Sequence, residues 1–232
     1  MNKLEIPELA IGVAAQNHNP TVLNADFLAY NRIVPATWVP NEDRLSTPVL
    51  SQVAYEDQGV SIVSQPDKVH FTRRNGDLRD STDPDLAAVA ISYVNALPHV
   101  EYTAMAANVE GHVIVPEGIE AARNEIVERY LAAGAWQSFG DGIDEAVVTL
   151  AYDLDPATLR LSISPALFVA AGEGEAAGEV PVIRYSAHFQ EDVAGEGREA
   201  RLADLVGKLG RWREWLDVYL ELVEGQLLGA RV

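Results

Sequence analysis

Between residues 68 and 73 apolar and polar side chains alternate one by one: Val69 and Phe71 face one way, Lys68, His70 and Thr72 the other. A period of two is that of a strand with one buried face. The alternation recurs over 159–164, with Leu159, Leu161 and Ile163 against Arg160, Ser162 and Ser164. It recurs again over 182–190, with Ile183, Tyr185, Ala187 and Phe189 against Arg184, Ser186, His188 and Gln190. Apolar runs at 49–55 and 60–64 precede the first of these, and one at 146–152 precedes the second. Turn residues at 56–59, 65–67 and 153–156 separate them, so the pattern predicts two β-meanders.

A period near 3.6 marks the helices. Leu86, Val89, Ala90, Tyr93, Val94 and Leu97 predict a helix that opens at Asp83-Pro84 and stops at Pro98. A strand over 100–109 follows. Ile119, Ala122, Ile126, Val127 and Tyr130 then mark a helix opened at Pro116, with Glu117 and Glu120 at the positive end of its dipole. Residues 198–229 carry the longest stripe, running through Leu202, Leu205, Leu209, Trp212, Leu216, Tyr219 and Val223. That helix would be about 45–50 Å long, with Gly207 and Gly210 as weak points where it can bend. Trp215 widens its apolar arc, as a broad core face or as a contact surface for a partner.

Residues 1–48 read as irregular. A short strand at 9–15, a turn at 17–20 and a helical turn capped by Asn24 are followed by Pro35, Pro40 and Pro48, which hold the chain extended. Phe27, Tyr30, Ile33 and Trp38 make this segment too apolar for a free tail, so it is expected to wrap over the body. Residues 170–179 contain Gly, Ala and Glu alone and are expected to form a mobile loop.

The fold class expected is α+β: an antiparallel sheet built from two β-meanders, with helices on one face and a long C-terminal helix. The chain reads as a single domain over 1–232. It comprises the Pro-rich arm 1–48, a βββαβα half at 49–133 and a βββα half at 144–232. Ala54-Tyr55-Glu56-Asp57 and Ala151-Tyr152-Asp153 each precede an alternating strand and a proline. The likeness fits an old duplication of a βββα unit; it fits chance as well, because turns attract Asp and Pro.

Charge narrows the function. The 232 residues carry 17 Lys and Arg against 35 Asp and Glu, a net −18. Such a surface repels nucleic acid and anionic membranes, and the longest basic run is Arg73-Arg74. No stretch reaches the roughly 20 apolar residues of a membrane span. Glu5, Pro7 and Glu8 interrupt any apolar leader, so a cytoplasmic protein is expected. The absence of cysteine excludes disulfides, thiol nucleophiles and thiolate metal sites.

No catalytic or phosphate-binding motif is present, and no cofactor or metal is expected. His18, His70, His99, His112 and His188 are scattered and read as ordinary surface or half-buried histidines. Only His99 and Glu101 have a ligand-like spacing. Side-chain alternation does gather one set: Lys68, His70, Arg160, Arg184 and His188 all point away from the predicted core, with no carboxylate in the same three strands' outward sets. If the meanders share a sheet, these five residues form a basic face for an anionic ligand or an acidic partner segment. Three functions are compatible. A non-catalytic binding or assembly protein, self-associating or bound to another protein, ranks first. A small-molecule anion sensor using this face comes next, then a hydrolase or transferase using His70 or His188.

Overall fold

The longest strands of the molecule include one that starts at the fifth residue. The computed structural model describes residues 3–42, 45–74, 76–79, 85–169 and 178–229. The elements are β1 (Glu5–Gln16), α1 (Ala25–Tyr30), β2 (Leu45–Ser46), β3 (Ser51–Tyr55), β4 (Val60–Gln65), β5 (Lys68–Arg74), α2 (Leu86–Ala96), β6 (Glu101–Ile114), α3 (Ile119–Tyr130), β7 (Val148–Asp153), β8 (Thr158–Val169), β9 (Glu179–Asp192), α4 (Arg198–Gly210) and α5 (Trp212–Leu220). A π-helical stretch, Glu221–Leu228, follows α5.

The nine strands form one antiparallel sheet in the order β2-β3-β4-β5-β1-β6-β9-β8-β7. Both predicted meanders are therefore in the same sheet. The order is palindromic about the β1–β6 seam, with β1-β5-β4-β3 on one side and β6-β9-β8-β7 on the other. Each side runs strand, helix, three-strand meander, helix. The sequence reading attaches the strand after α2 to the first half; in the sheet that strand, β6, pairs with β1 and β9 and opens the second run.

β1 departs most from expectation. Residues 1–48 do not form an irregular arm throughout, because Glu5–Gln16 is a central strand paired on both sides. Leu9, Ile11 and Val13 point into the core, whereas Ala10, Gly12 and Ala14 lie opposite, so small outward residues hide the alternation. The register shifts between Glu5 and Glu8, and Pro7 lies in that irregularity, where a missing N–H is tolerated. Beyond the shift Leu4 and Ile6 rejoin the core.

β6 also runs past its expected end, through Gly111. A Cβ on Gly111 would lie 2.2 Å from the Tyr219 hydroxyl, so glycine here makes room for the phenol. That hydroxyl donates to the Tyr185 carbonyl at 2.9 Å and ties α5 to β9. The cap of α2 is Asp85, whose carboxylate accepts from the Ala87 and Ala88 amides. The cap expected from sequence, Asp83-Pro84, lies outside the described residues, as do 170–177 of the expected loop; Glu179 opens β9. Asn24 caps α1 as expected, accepting from the Phe27 amide at 2.8 Å.

The helices cover one face of the sheet. Tyr93 of α2 meets Phe71 of β5 edge-on at 5.4 Å. Tyr130 of α3 reaches the Tyr185 hydroxyl at 3.2 Å. Trp215 of α5 stacks on Phe189 of β9 at 5.6 Å. Trp215 therefore belongs to the core arc. The C-terminal helix bends at Arg211, directly after Gly210, where the backbone leaves helical geometry. No helix among the described residues is long and apolar enough to cross a membrane.

Candidate functional site

No helix of the described residues covers the opposite face of the sheet, and all five nominated residues lie on it. Lys68 and His70 point outward from β5, Arg160 from β8, Arg184 and His188 from β9, while Val69, Phe71, Leu159, Leu161, Tyr185 and Phe189 are buried beneath. Register places them in rows across the sheet. One row reads Thr72, Ala10, Asn108, His188, Arg160; the next reads His70, Gly12, Ala106, Gln190, Thr158.

His188 and Arg160 are thus direct cross-strand neighbours, and the His188 Nδ1 lies 2.7 Å from the Asn108 Oδ1. A proton on Nδ1 makes that contact a hydrogen bond with Asn108 as acceptor. His70 belongs to a separate group. Its ring leans over Gly12, where an added Cβ would meet two ring atoms at 3.2 Å. Burial is the main cause that holds the His70 pKa below its ordinary value, with the Lys68 charge next. β1 and β6 lie between His70 and His188. Arg184 sits opposite Ser164, four residues along β8 from Arg160, which is about 13 Å. The five residues share a face without converging on one small ligand.

Between the two basic rims the outward positions of β1 and β6 are small: Ala10, Gly12, Ala14, Ala104 and Ala106. They form a shallow trough two strands wide. These residues were not legible as site residues, because they carry no chemistry of their own. The same strands also bring carboxylates that the outward sets of the other three lacked. Glu8 and Glu110 lie on this face, with Asp153 and Asp192 toward its margins. The outward positions 68–72, 159–163 and 182–190 hold no carboxylate; β1 and β6, which lie between β5 and β9, bring Glu8 and Glu110 to the same face. Four basic residues (Lys68, Arg74, Arg160, Arg184) meet nearly equal acid on this face, while the chain as a whole carries −18. Arg74 is committed to Glu8 at 2.6 Å. Among the described residues, Lys68, Arg160 and Arg184 have no carboxylate within ion-pair distance.

At one end of this face the β8–β9 pair and the Pro7 irregularity of β1 enclose a cavity of about 490 Å³, bordered by Arg184, Glu110 and Phe168. His112 forms part of its floor, its ring 4.4 Å from that of Phe168. A cavity of about 580 Å³ lies on the helical side beside Ile33 and Trp38; its charged groups are Arg32 and Asp85, and Asp85 is already the cap of α2.

Two histidines expected at or near the surface are buried. His112 is 4% exposed, and burial lowers its pKa against the opposing pull of Glu5. His18 is also 4% exposed, with Nδ1 3.0 Å from the Ser64 hydroxyl and Nε2 3.0 Å from the Tyr93 hydroxyl. A serine, a histidine and a tyrosine in contact resemble hydrolytic machinery, but Ser64 and Tyr93 are fully buried, so the network is a satisfied core cluster. His99 is exposed, and Glu101 is bound by Arg201 at 2.9 Å. Among the described residues no group of three or more His, Asp and Glu is placed to hold a metal ion. No family model, curated protein or solved structure matches this chain.

Proposed function

We propose that this chain is a non-catalytic binding protein that receives an acidic segment of a partner protein along the open face of its sheet. The observation that carries this reading is the state of Lys68 and Arg160. In a chain with 35 acidic residues, two cations flank a trough of small side chains with no carboxylate of the described residues within ion-pair distance. An acidic segment laid in the trough supplies those partners, and His188, Gln190 and His70 add hydrogen bonds. The net charge does not prevent it, because at physiological salt the field of distant carboxylates is screened beyond about 8 Å. A hydrolase or transferase that used His70 and His188 together is disfavoured by the two strands between them.

The test is fluorescence anisotropy with a labelled glutamate-rich peptide and a lysine-rich peptide of the same length. The glutamate-rich peptide is expected to bind, and Lys68→Ala or Arg160→Ala to weaken it by roughly three- to tenfold each. Equal binding of both peptides, or no effect of either variant, overturns the reading. If the acidic segment comes from a second copy of the chain, light scattering will report a dimer that Arg160→Glu dissociates.

A further inference from the structure

Beyond the open-face reading, the cavity at the end of the sheet carries its own chemistry. Its outer wall is apolar, formed by Ala166, Leu167, Phe168 and Val182, and its volume of about 490 Å³ lies in the range of small-molecule sites. Four charged side chains border it: Arg74, Glu8, Glu110 and Arg184. Two of these neutralise each other, Arg74 with Glu8 at 2.6 Å.

The other two do not meet. The Arg184 guanidinium touches the Ser164 hydroxyl at 3.5 Å, and no carboxylate of the described residues lies within ion-pair distance. One oxygen of Glu110 accepts from the Ser186 hydroxyl at 3.2 Å, and no cation of the described residues lies within ion-pair distance, although Arg74 feels its charge from farther away. Glu110 lies opposite Ser186, and Arg184 opposite His112, so the two are diagonal neighbours on β6 and β9. Diagonal Cα atoms in an antiparallel pair are about 7–8 Å apart, close enough for one small molecule to bridge the two side chains.

We propose that this cavity binds a small zwitterion with an apolar side chain, of the class of phenylalanine or leucine. Its carboxylate meets Arg184, its ammonium group meets Glu110, and its side chain lies on Phe168. Phe168 is backed by the His112 ring at 4.4 Å, which gives a flat platform for an aromatic or branched group. Each ligand charge takes the partner that the fold leaves open. A simple anion leaves Glu110 unmatched beside it, and a simple amine leaves Arg184 unmatched. Ligands lacking one charge therefore bind more weakly, because the apolar group that fills the cavity takes water from a charge it leaves unpaired.

The experiment is calorimetric titration of the full chain with phenylalanine, 3-phenylpropionate and phenethylamine. Phenylalanine is expected to bind, and each of the other two to bind roughly tenfold or more weakly. Arg184→Ala should abolish the preference for phenylalanine over phenethylamine, and Glu110→Gln its preference over 3-phenylpropionate. Arg160→Ala should leave phenylalanine binding unchanged while weakening the glutamate-rich peptide, which separates this site from the open-face reading. Amide chemical shifts, recorded for each variant, confirm that it is folded and locate the bound ligand at Phe168 and Val182. No binding of phenylalanine at millimolar concentration overturns the proposal. So does 3-phenylpropionate binding as tightly as phenylalanine, which makes the cavity an anion site only. Shift changes confined to other regions also overturn it.

Discussion

The Nε2 of His18 and the hydroxyl of Tyr93 lie 3.0 Å apart in the core, although 75 residues separate them in sequence. His18 leaves the end of β1, and Tyr93 lies on α2, so the contact pins the turn after β1 beneath the helix that follows the first meander. The neutral ring with its proton on Nδ1 satisfies every neighbour: Nδ1 donates to the Ser64 hydroxyl or the Gln65 carbonyl, and Nε2 accepts from Tyr93.

This arrangement makes stability pH-dependent. Burial lowers the His18 pKa below its ordinary 6.5, and the Gln65 carbonyl opposes this only in part. The unfolded chain therefore binds a proton before the folded one does. Stability is complete above pH 6.5 and falls as pH drops below it. His70 and His112 shift in the same direction and add to the slope. Denaturant melts between pH 7 and 5 (from about half a unit above the ordinary histidine value to about one and a half below it) should show the midpoint fall, and His18→Gln should show a shallower fall. At neutral pH, His18→Ala should cost about 1–3 kcal/mol by leaving Ser64 and Tyr93 unpaired.

Gly111→Ala should destabilise the fold by about 2–3 kcal/mol, because the new methyl group occupies the position of the Tyr219 hydroxyl and breaks its bond to Tyr185. Tyr219→Phe removes the closest atom of the clash. The double variant should therefore lose less than the sum of the two single losses in urea melts.

Lys208 is 7% exposed and bridges two carboxylates, Glu191 of β9 at 3.1 Å and Asp204 of α4. Lys208→Ala leaves Glu191, itself 8% exposed, as a buried charge without its partner. We expect a loss of about 3–5 kcal/mol. Glu191→Gln in the same background should recover part of it, measured by thermal unfolding.

Leu209 of α4 is fully buried. Leu209→Asp should give insoluble protein on expression, since it exchanges about 1.5–3 kcal/mol of apolar burial for an unpaired charge. A soluble variant with a cooperative melt would contradict the role of α4 in the core.

The strands with full-sized outward residues were legible. Lys68, Arg160 and His188 alternate with large apolar side chains, and the period alone assigns both their strand and their face. β1 was legible only as a short strand over 9–15, because at Ala10, Gly12 and Ala14 the outward residues are nearly as small and apolar as a core position allows; beyond residue 109 of β6, Gly111 and His112 interrupt the alternation. That omission also determined what was missed at the site. With β1 begun only at residue 9 and β6 ended at 109, Glu8 and Glu110 fall just outside both strands and are not placed beside the basic residues, and the cavity next to Arg184 has no second wall. Gly111 carries no local signal either, because the atom that requires it belongs to Tyr219, more than a hundred residues away.

The seam between β1 and β6 has a consequence for how the chain can be divided. It joins two βαβββα runs through an antiparallel ladder, and the covalent link between them is the short stretch from Leu97 to Val100. Cut there, each piece gains a second bare edge: the first exposes β1, and the second exposes β6. Each edge is the natural template for the other, and each is also a template for a like edge. Separately made fragments are thus complementary halves that should reassemble when mixed, and each alone should pair with itself.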